Sequence, residues 1–119
     1  MKFNTCLLLF FVAVLTSCNG GKTETALYHT SPNGKVKINI EATRTTGIES
    51  WKTEMKVKAY NFEEGKLAFE IYAKDLTNEN VTFTWKDDTH CIITFTQQDN
   101  TEVKFELIAS SVQLHMGAI

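Results

Sequence analysis

From His29 to its end, the chain alternates apolar and polar residues in steps of two. This period is typical of a β-strand with one buried face, because successive side chains point to opposite sides of a sheet. Seven apolar rows follow one another, and we expect each to be the buried side of one strand. The rows are Val36, Ile38, Ile40 and Ala42; Trp51, Thr53, Met55, Val57 and Ala59; Leu67, Phe69, Ile71 and Ala73; Val81, Phe83 and Trp85; Cys91, Ile93 and Phe95; Val103, Phe105, Leu107 and Ala109; and Val112, Leu114 and Met116.

The breaks between the rows are short and carry residues that favour turns. Ser31-Pro32-Asn33-Gly34 opens the first row, with Pro where its fixed φ is favoured and Gly free to adopt a positive φ. Four-residue connections at 87–90 and 98–101 are typical of antiparallel hairpins. The sequence therefore predicts an all-β fold of about seven strands in an antiparallel meander, which closes as a small sandwich or a rolled barrel.

A helix near residues 63–76 is the alternative, and it would make the fold α+β. Glu, Lys, Leu and Ala are frequent in this segment, and Leu67, Ala68, Ile71 and Tyr72 could form one helical face. Gly65 and the alternation that follows it favour a strand instead.

The N-terminus has the pattern of a secretory signal. Lys2 precedes an unbroken apolar run from Leu7 to Leu15, and small residues follow that run. The run has about half of the roughly 20 residues that a membrane-spanning helix needs. We therefore expect residues 1–17 to be a cleaved signal peptide.

The end of this segment, Leu15-Thr16-Ser17-Cys18, resembles the lipobox of bacterial lipoprotein precursors. The resemblance covers about the first 22 residues and implies cleavage before Cys18 and attachment of lipid, including palmitate, to the Cys18 sulfur. Asn19, where an Asp would favour inner-membrane retention in enteric bacteria, implies the outer membrane. The resemblance thus implies a protein of the bacterial cell envelope, with residues 18–26 as a lipidated flexible tether and 27–119 as a single domain.

Charge and cysteine content narrow the possible partners of this domain. Removal of residues 1–17 takes away Lys2 as the only charged side chain and leaves 11 basic and 14 acidic side chains, a net charge of −3. A mildly acidic domain without basic clusters in its sequence is a poor candidate for binding nucleic acid. With Cys18 lipidated, Cys91 is the only thiol left, so no disulfide within the domain is expected.

Several residues that are apolar or rich in hydroxyl groups are predicted to point away from the buried rows. Either this outward face is covered, by the segment around Leu27-Tyr28 or by the last strand, or it is a contact surface. Threonines also suit an ordinary solvent-exposed sheet face. The candidate contact residues are Tyr72, Ile92, Ile108, Thr82, Thr84, Thr94 and Thr96.

The sequence predicts no catalytic residue, no metal site and no cofactor. His90 and Cys91 are adjacent, so on a strand they point to opposite faces and cannot bind one ion together. Cys91 belongs to an inward row and is expected to be a buried apolar residue. Nothing in the spacing brings His29 and His115 together, and no phosphate-binding, HExxH or GxSxG motif is present.

Two functions fit this pattern. The first is a lipid-tethered, non-catalytic module that binds a protein partner in the envelope, as inhibitor and immunity proteins do. The second is a carrier of a small apolar ligand, which requires a barrel with an internal cavity. Large aromatic residues in the inward rows favour the first, because they leave little internal space.

Overall fold

The computed structural model describes residues 23–46 and 48–119 of the chain. The signal segment 1–17, the lipobox and the tether as far as residue 22 lie outside the described residues. These ranges contain eight strands, and no helix within them is long and apolar enough to cross a membrane. The strands are β1 (Thr23–Thr30), β2 (Val36–Arg44), β3 (Trp51–Ala59), β4 (Gly65–Ile71), β5 (Val81–Asp87), β6 (His90–Thr96), β7 (Glu102–Ala109) and β8 (Leu114–Ala118).

The strands form two antiparallel sheets that pack on each other as a small sandwich. The first sheet has the order β1-β2-β3-β4 and the second β5-β6-β7-β8, so within each sheet the strands pair in their sequence order, and the chain crosses from one sheet to the other between β4 and β5. The predicted all-β antiparallel meander is confirmed, in its sandwich form. Residues 65–71 are strand β4, so the helical alternative for 63–76 is wrong.

The core lies between the sheets and consists of the alternating apolar rows. In β2 and β3 every second residue is buried, which matches the predicted inward rows. The largest fully buried side chains are Trp51, Phe95, Ile38, Ile40, Met55, Ile71, Ile93 and Leu107. The side of each sheet that is turned away from this core is called its outer face below.

Strand β1 is the strand that the alternation did not predict. It pairs with β2 from Thr23 opposite Arg44 to Thr30 opposite Lys37. Its inward row, Thr25, Leu27 and His29, contains a single aliphatic residue, so its apolar signal is weak. The strand takes in residues 23–26, which the sequence analysis placed in the tether.

Neither terminal strand covers an outer face, although the sequence analysis considered that arrangement. β1 and β8 are instead edge strands, each hydrogen-bonded within the plane of its own sheet. The predicted seventh row is also shorter than expected. Val112 is 84% exposed in a turn closed by a hydrogen bond from the Ser110 amide to the Gln113 carbonyl, and β8 starts only at Leu114.

The segment that joins the two sheets is held by Arg44 and Trp51. The Arg44 guanidinium donates to the carbonyl oxygens of Ala73 (2.9 Å) and Lys74 (2.7 Å) and lies 4.1 Å from the centre of the Trp51 ring. Trp51 Nε1 donates to the same Ala73 carbonyl at 3.0 Å. These contacts attach the crossing chain to the ends of β2 and β3 and so position the second sheet over the first.

Candidate functional site

Six of the seven candidate contact residues lie together on the outer face of the second sheet. Alternation along β5, β6 and β7 turns these side chains away from the core, as the sequence predicts. The six are Thr82 and Thr84 on β5, Ile92, Thr94 and Thr96 on β6, and Ile108 on β7.

Four of these residues form a compact uncharged area. Thr82 lies directly opposite Thr94, and Thr84 lies directly opposite Ile92. Directly opposed residues in an antiparallel pair have Cα atoms about 4.5 to 5.5 Å apart, so the four side chains are neighbours. Thr82 and Thr84 are exposed, whereas Ile92 and Thr94 are half-buried. We call Thr82, Thr84, Ile92 and Thr94 the neutral patch.

Charged residues border the neutral patch on β7. Lys104 lies opposite Thr94, and Glu106 lies opposite Ile92. Glu106 Oε2 lies 2.8 Å from His90 Nε2, which is hydrogen-bond distance. Lys104 lies 3.6 Å from Glu102, measured between Nζ and Oε1. An uncharged centre with a polar rim is the arrangement of protein interfaces.

Tyr72 lies apart from the other candidate residues. It follows β4 directly, in the connection between the two sheets, with the parity of the outward residues Lys66, Ala68 and Glu70. Its backbone amide donates to the side-chain oxygen of Gln97 at 2.9 Å, its carbonyl accepts from the Gln98 amide, and the residue is 53% exposed. Alternation grouped Tyr72 with the outward residues, whereas the structure places it outside both sheets.

The residues with reactive side chains are dispersed. Cys91 is fully buried, and burial raises the pKa of its thiol to about 12, so the thiol stays protonated and unreactive. Asp87 accepts hydrogen bonds from the amide and hydroxyl of Thr89, which is the local turn role that Asp commonly has. Within residues 23–46 and 48–119, no three His, Cys, Asp or Glu side chains converge on a common point.

His29 has a structural role that sequence reasoning missed. Its ring stacks on Phe83 with ring centres 3.9 Å apart and planes 4° from parallel. Its Nε2 atom accepts a hydrogen bond of 2.8 Å from Trp85 Nε1. His29 thus connects β1 to β5 across the edge of the sandwich. The available signal was its inward parity with Leu27, which the sequence analysis did not extend to β1.

We expect His29 to make the domain less stable in mild acid. Burial lowers the pKa of His29, so the folded state binds this proton less readily than the unfolded chain. The contribution of neutral His29 to the free energy of unfolding is present at neutral pH and decreases as the pH falls through about 6.5, the pKa of an unperturbed histidine. Denaturant unfolding at a series of pH values from neutral to mild acid measures this decrease.

The matched variant for this test is His29→Gln, whose side-chain oxygen can accept from Trp85 but does not titrate. His90 and His115 remain in both proteins, so the difference in pH dependence isolates His29. Equal pH dependence in both proteins contradicts the prediction.

The interior between the sheets is occupied by aromatic rings. Phe69 of the first sheet lies 5.1 Å from Phe95 and 4.3 Å from Phe105 of the second, and the latter two lie 5.7 Å apart, all between ring centres. The depression around Glu24, Glu41, Lys52 and Glu54 is open to solvent and lined with charge. Within the described residues, this packing gives no specific support to the carrier alternative.

Comparison with known proteins returned no family model, no curated protein and no solved structure that matches the chain.

Proposed function

We propose that this chain is a membrane-tethered lipoprotein whose domain binds a protein partner in the bacterial cell envelope and has no catalytic role. An inhibitor-like or immunity-like activity fits this description. The neutral patch on the outer face of the second sheet is the observation that carries the proposal.

The side chains of the patch support binding rather than catalysis. Three hydroxyl groups can donate and accept hydrogen bonds, and the branched side chain of Ile92 offers apolar contact area. None of the four titrates near neutral pH. The strands hold these groups in a fixed arrangement, which reduces the entropy that binding costs.

The lipobox supports attachment to a membrane, with the outer membrane favoured by Asn19. Cys18 precedes the start of β1 by five residues, a span of at most about 18 Å when fully extended. A lipid on Cys18 would therefore keep the Thr23 end of the sandwich close to the bilayer. The patch lies on the side of the sandwich, where a partner in the envelope can reach it.

Site-specific photocrosslinking in intact envelopes tests this function. A diazirine amino acid at Thr84 or Thr94 is expected to form a discrete adduct with a single protein partner. The control position is Glu49, which is exposed in the connection between β2 and β3. Absence of an adduct at both threonines, or equal labelling at Glu49, contradicts the proposal.

A further inference from the structure

Lysines on the outer face of the first sheet are gathered at one end. Lys37 on β2, Lys58 on β3 and Lys66 on β4 are exposed and alternate with the buried rows. Lys35 is exposed one residue before β2 and has the same parity as Lys37. We call Lys35, Lys37, Lys58 and Lys66 the lysine strip. The sequence did not predict it, because its members come from separate strands.

Pairing between the strands places like charges directly opposite each other in this strip. Lys37 faces Lys58, and Lys66 faces Lys56. Directly opposed like charges destabilise a sheet, so this arrangement costs folding free energy. Toward the other end of the same face, the next outward pair is Asn39 and Lys56, and the pair after it is Glu41 and Glu54.

Lys56, at the border of the strip, has acidic partners, whereas the lysines of the strip do not form ion pairs within the described residues. Lys56 Nζ lies 3.0 Å from Glu41 and 3.6 Å from Glu54, measured to one carboxylate oxygen of each. Within the described residues, none of the four strip lysines forms an ion pair. The Lys58 ammonium group donates to the Phe62 carbonyl, which is a neutral acceptor. Glu64 is exposed two residues before Lys66 and offsets part of the positive charge at this end of the face.

We infer that the lysine strip binds an acidic segment of a polypeptide, as an interface separate from the neutral patch. The domain as a whole is acidic, so this local positive charge is complementary to a partner that the rest of the surface would repel. Lys35 and Lys37 are two residues apart, about 6.6 to 6.8 Å along the strand. The same interval separates alternate side chains of an extended peptide.

A polypeptide is favoured over anionic lipid by the position of the strip, and this choice rests on the proposed attachment at Cys18. Lys37 pairs with Thr30, at the end of β1 opposite to Thr23. The seven residue-to-residue steps from Thr23 to Thr30 correspond to about 23 Å of strand. The tether would therefore hold the strip away from the bilayer.

The test measures binding of a fluorescent oligo-glutamate peptide by anisotropy. The protein is the chain from residue 18 onward with Cys18→Ser, which contains the whole described core. The double variant Lys37→Glu/Lys66→Glu is expected to bind at least about tenfold more weakly at low salt, and wild-type binding should weaken toward about 0.15 M salt. Both substitutions turn like-charge pairs into opposite-charge pairs, so the melting temperature should stay equal or rise by up to a few degrees.

The matched control is Lys52→Glu/Lys74→Glu, which changes net charge equally at the other end of the sandwich. It should reduce affinity by less than about threefold, because surface charges at that distance are screened. Failure of the wild type to bind the peptide, or equal losses in both variants, overturns the inference. The inference is also overturned if Lys37→Glu/Lys66→Glu loses binding to anionic vesicles while it binds the peptide as the wild type does. Photocrosslinking at Thr84 does not involve the strip, so failure there is distinguishable from failure here.

Discussion

Replacement of Phe95 by alanine is expected to lower the free energy of unfolding by about 3 to 5 kcal/mol. Phe95 is fully buried, and its ring makes edge contacts with Phe69 of the opposite sheet and Phe105 of the neighbouring strand. Truncation removes these contacts and leaves a cavity at the point where the two sheets meet. Because a domain of this size is stable by only about 5 to 15 kcal/mol, the loss is a large share of the total.

Urea unfolding followed by tryptophan fluorescence measures this loss. Thr94→Ala is the matched control, since Thr94 is the adjacent residue on β6 and points outward. Its effect should stay within about 1 kcal/mol, which is the range of strand propensities and cross-strand pairs. Comparable losses for the two variants would show that inward packing at Phe95 does not dominate the stability of the sandwich.

Replacement of Cys18 by alanine is expected to abolish incorporation of labelled palmitate. The thioether needs a thiol at this position, and alanine offers no nucleophile. Growth of the expressing bacteria with radiolabelled palmitate, followed by purification of the protein, measures the change as an all-or-none effect.

Cys6→Ala is the control for this experiment, because Cys6 lies within the predicted signal segment and should not carry the lipid. Cys91 is present in both variants and is buried in the core. Label that persists in Cys18→Ala, or that disappears in Cys6→Ala, contradicts lipidation at Cys18.

The parts of the fold that were predictable from sequence are those that local chemistry decides. Alternation at Val36 and Ile38, or at Cys91 and Ile93, depends only on the two-residue repeat of a strand, so the buried faces of seven strands could be predicted. The turn at Ser31-Pro32-Asn33-Gly34 was predictable because it depends on the conformational preferences of its own residues. Gly34 has a φ of 75°, and its amide donates to the Ser31 carbonyl.

The candidate surfaces were only partly predictable. The outward direction of Thr84, Ile92 and Thr94 follows from alternation, and the short connection between β5 and β6 makes them neighbours. The same alternation could not tell that Tyr72 lies in the connection between the sheets, apart from this patch. It also could not reveal the lysine strip, which depends on which residues of β2, β3 and β4 lie opposite each other.

The strand faces, the antiparallel order and the burial of Cys91 follow from residues close together along the chain, so the amino-acid pattern is enough to predict them. The division of the strands into two sheets, the place of β1 in the first and the packing of His29 on Phe83 and Trp85 could be seen only in the folded domain. These outcomes depend on contacts between residues far apart in sequence, such as the hydrogen bonds from Arg44 to the Ala73 carbonyl and from Trp85 to His29. Periodicity states which side of a strand is apolar, but not which distant surface will cover it.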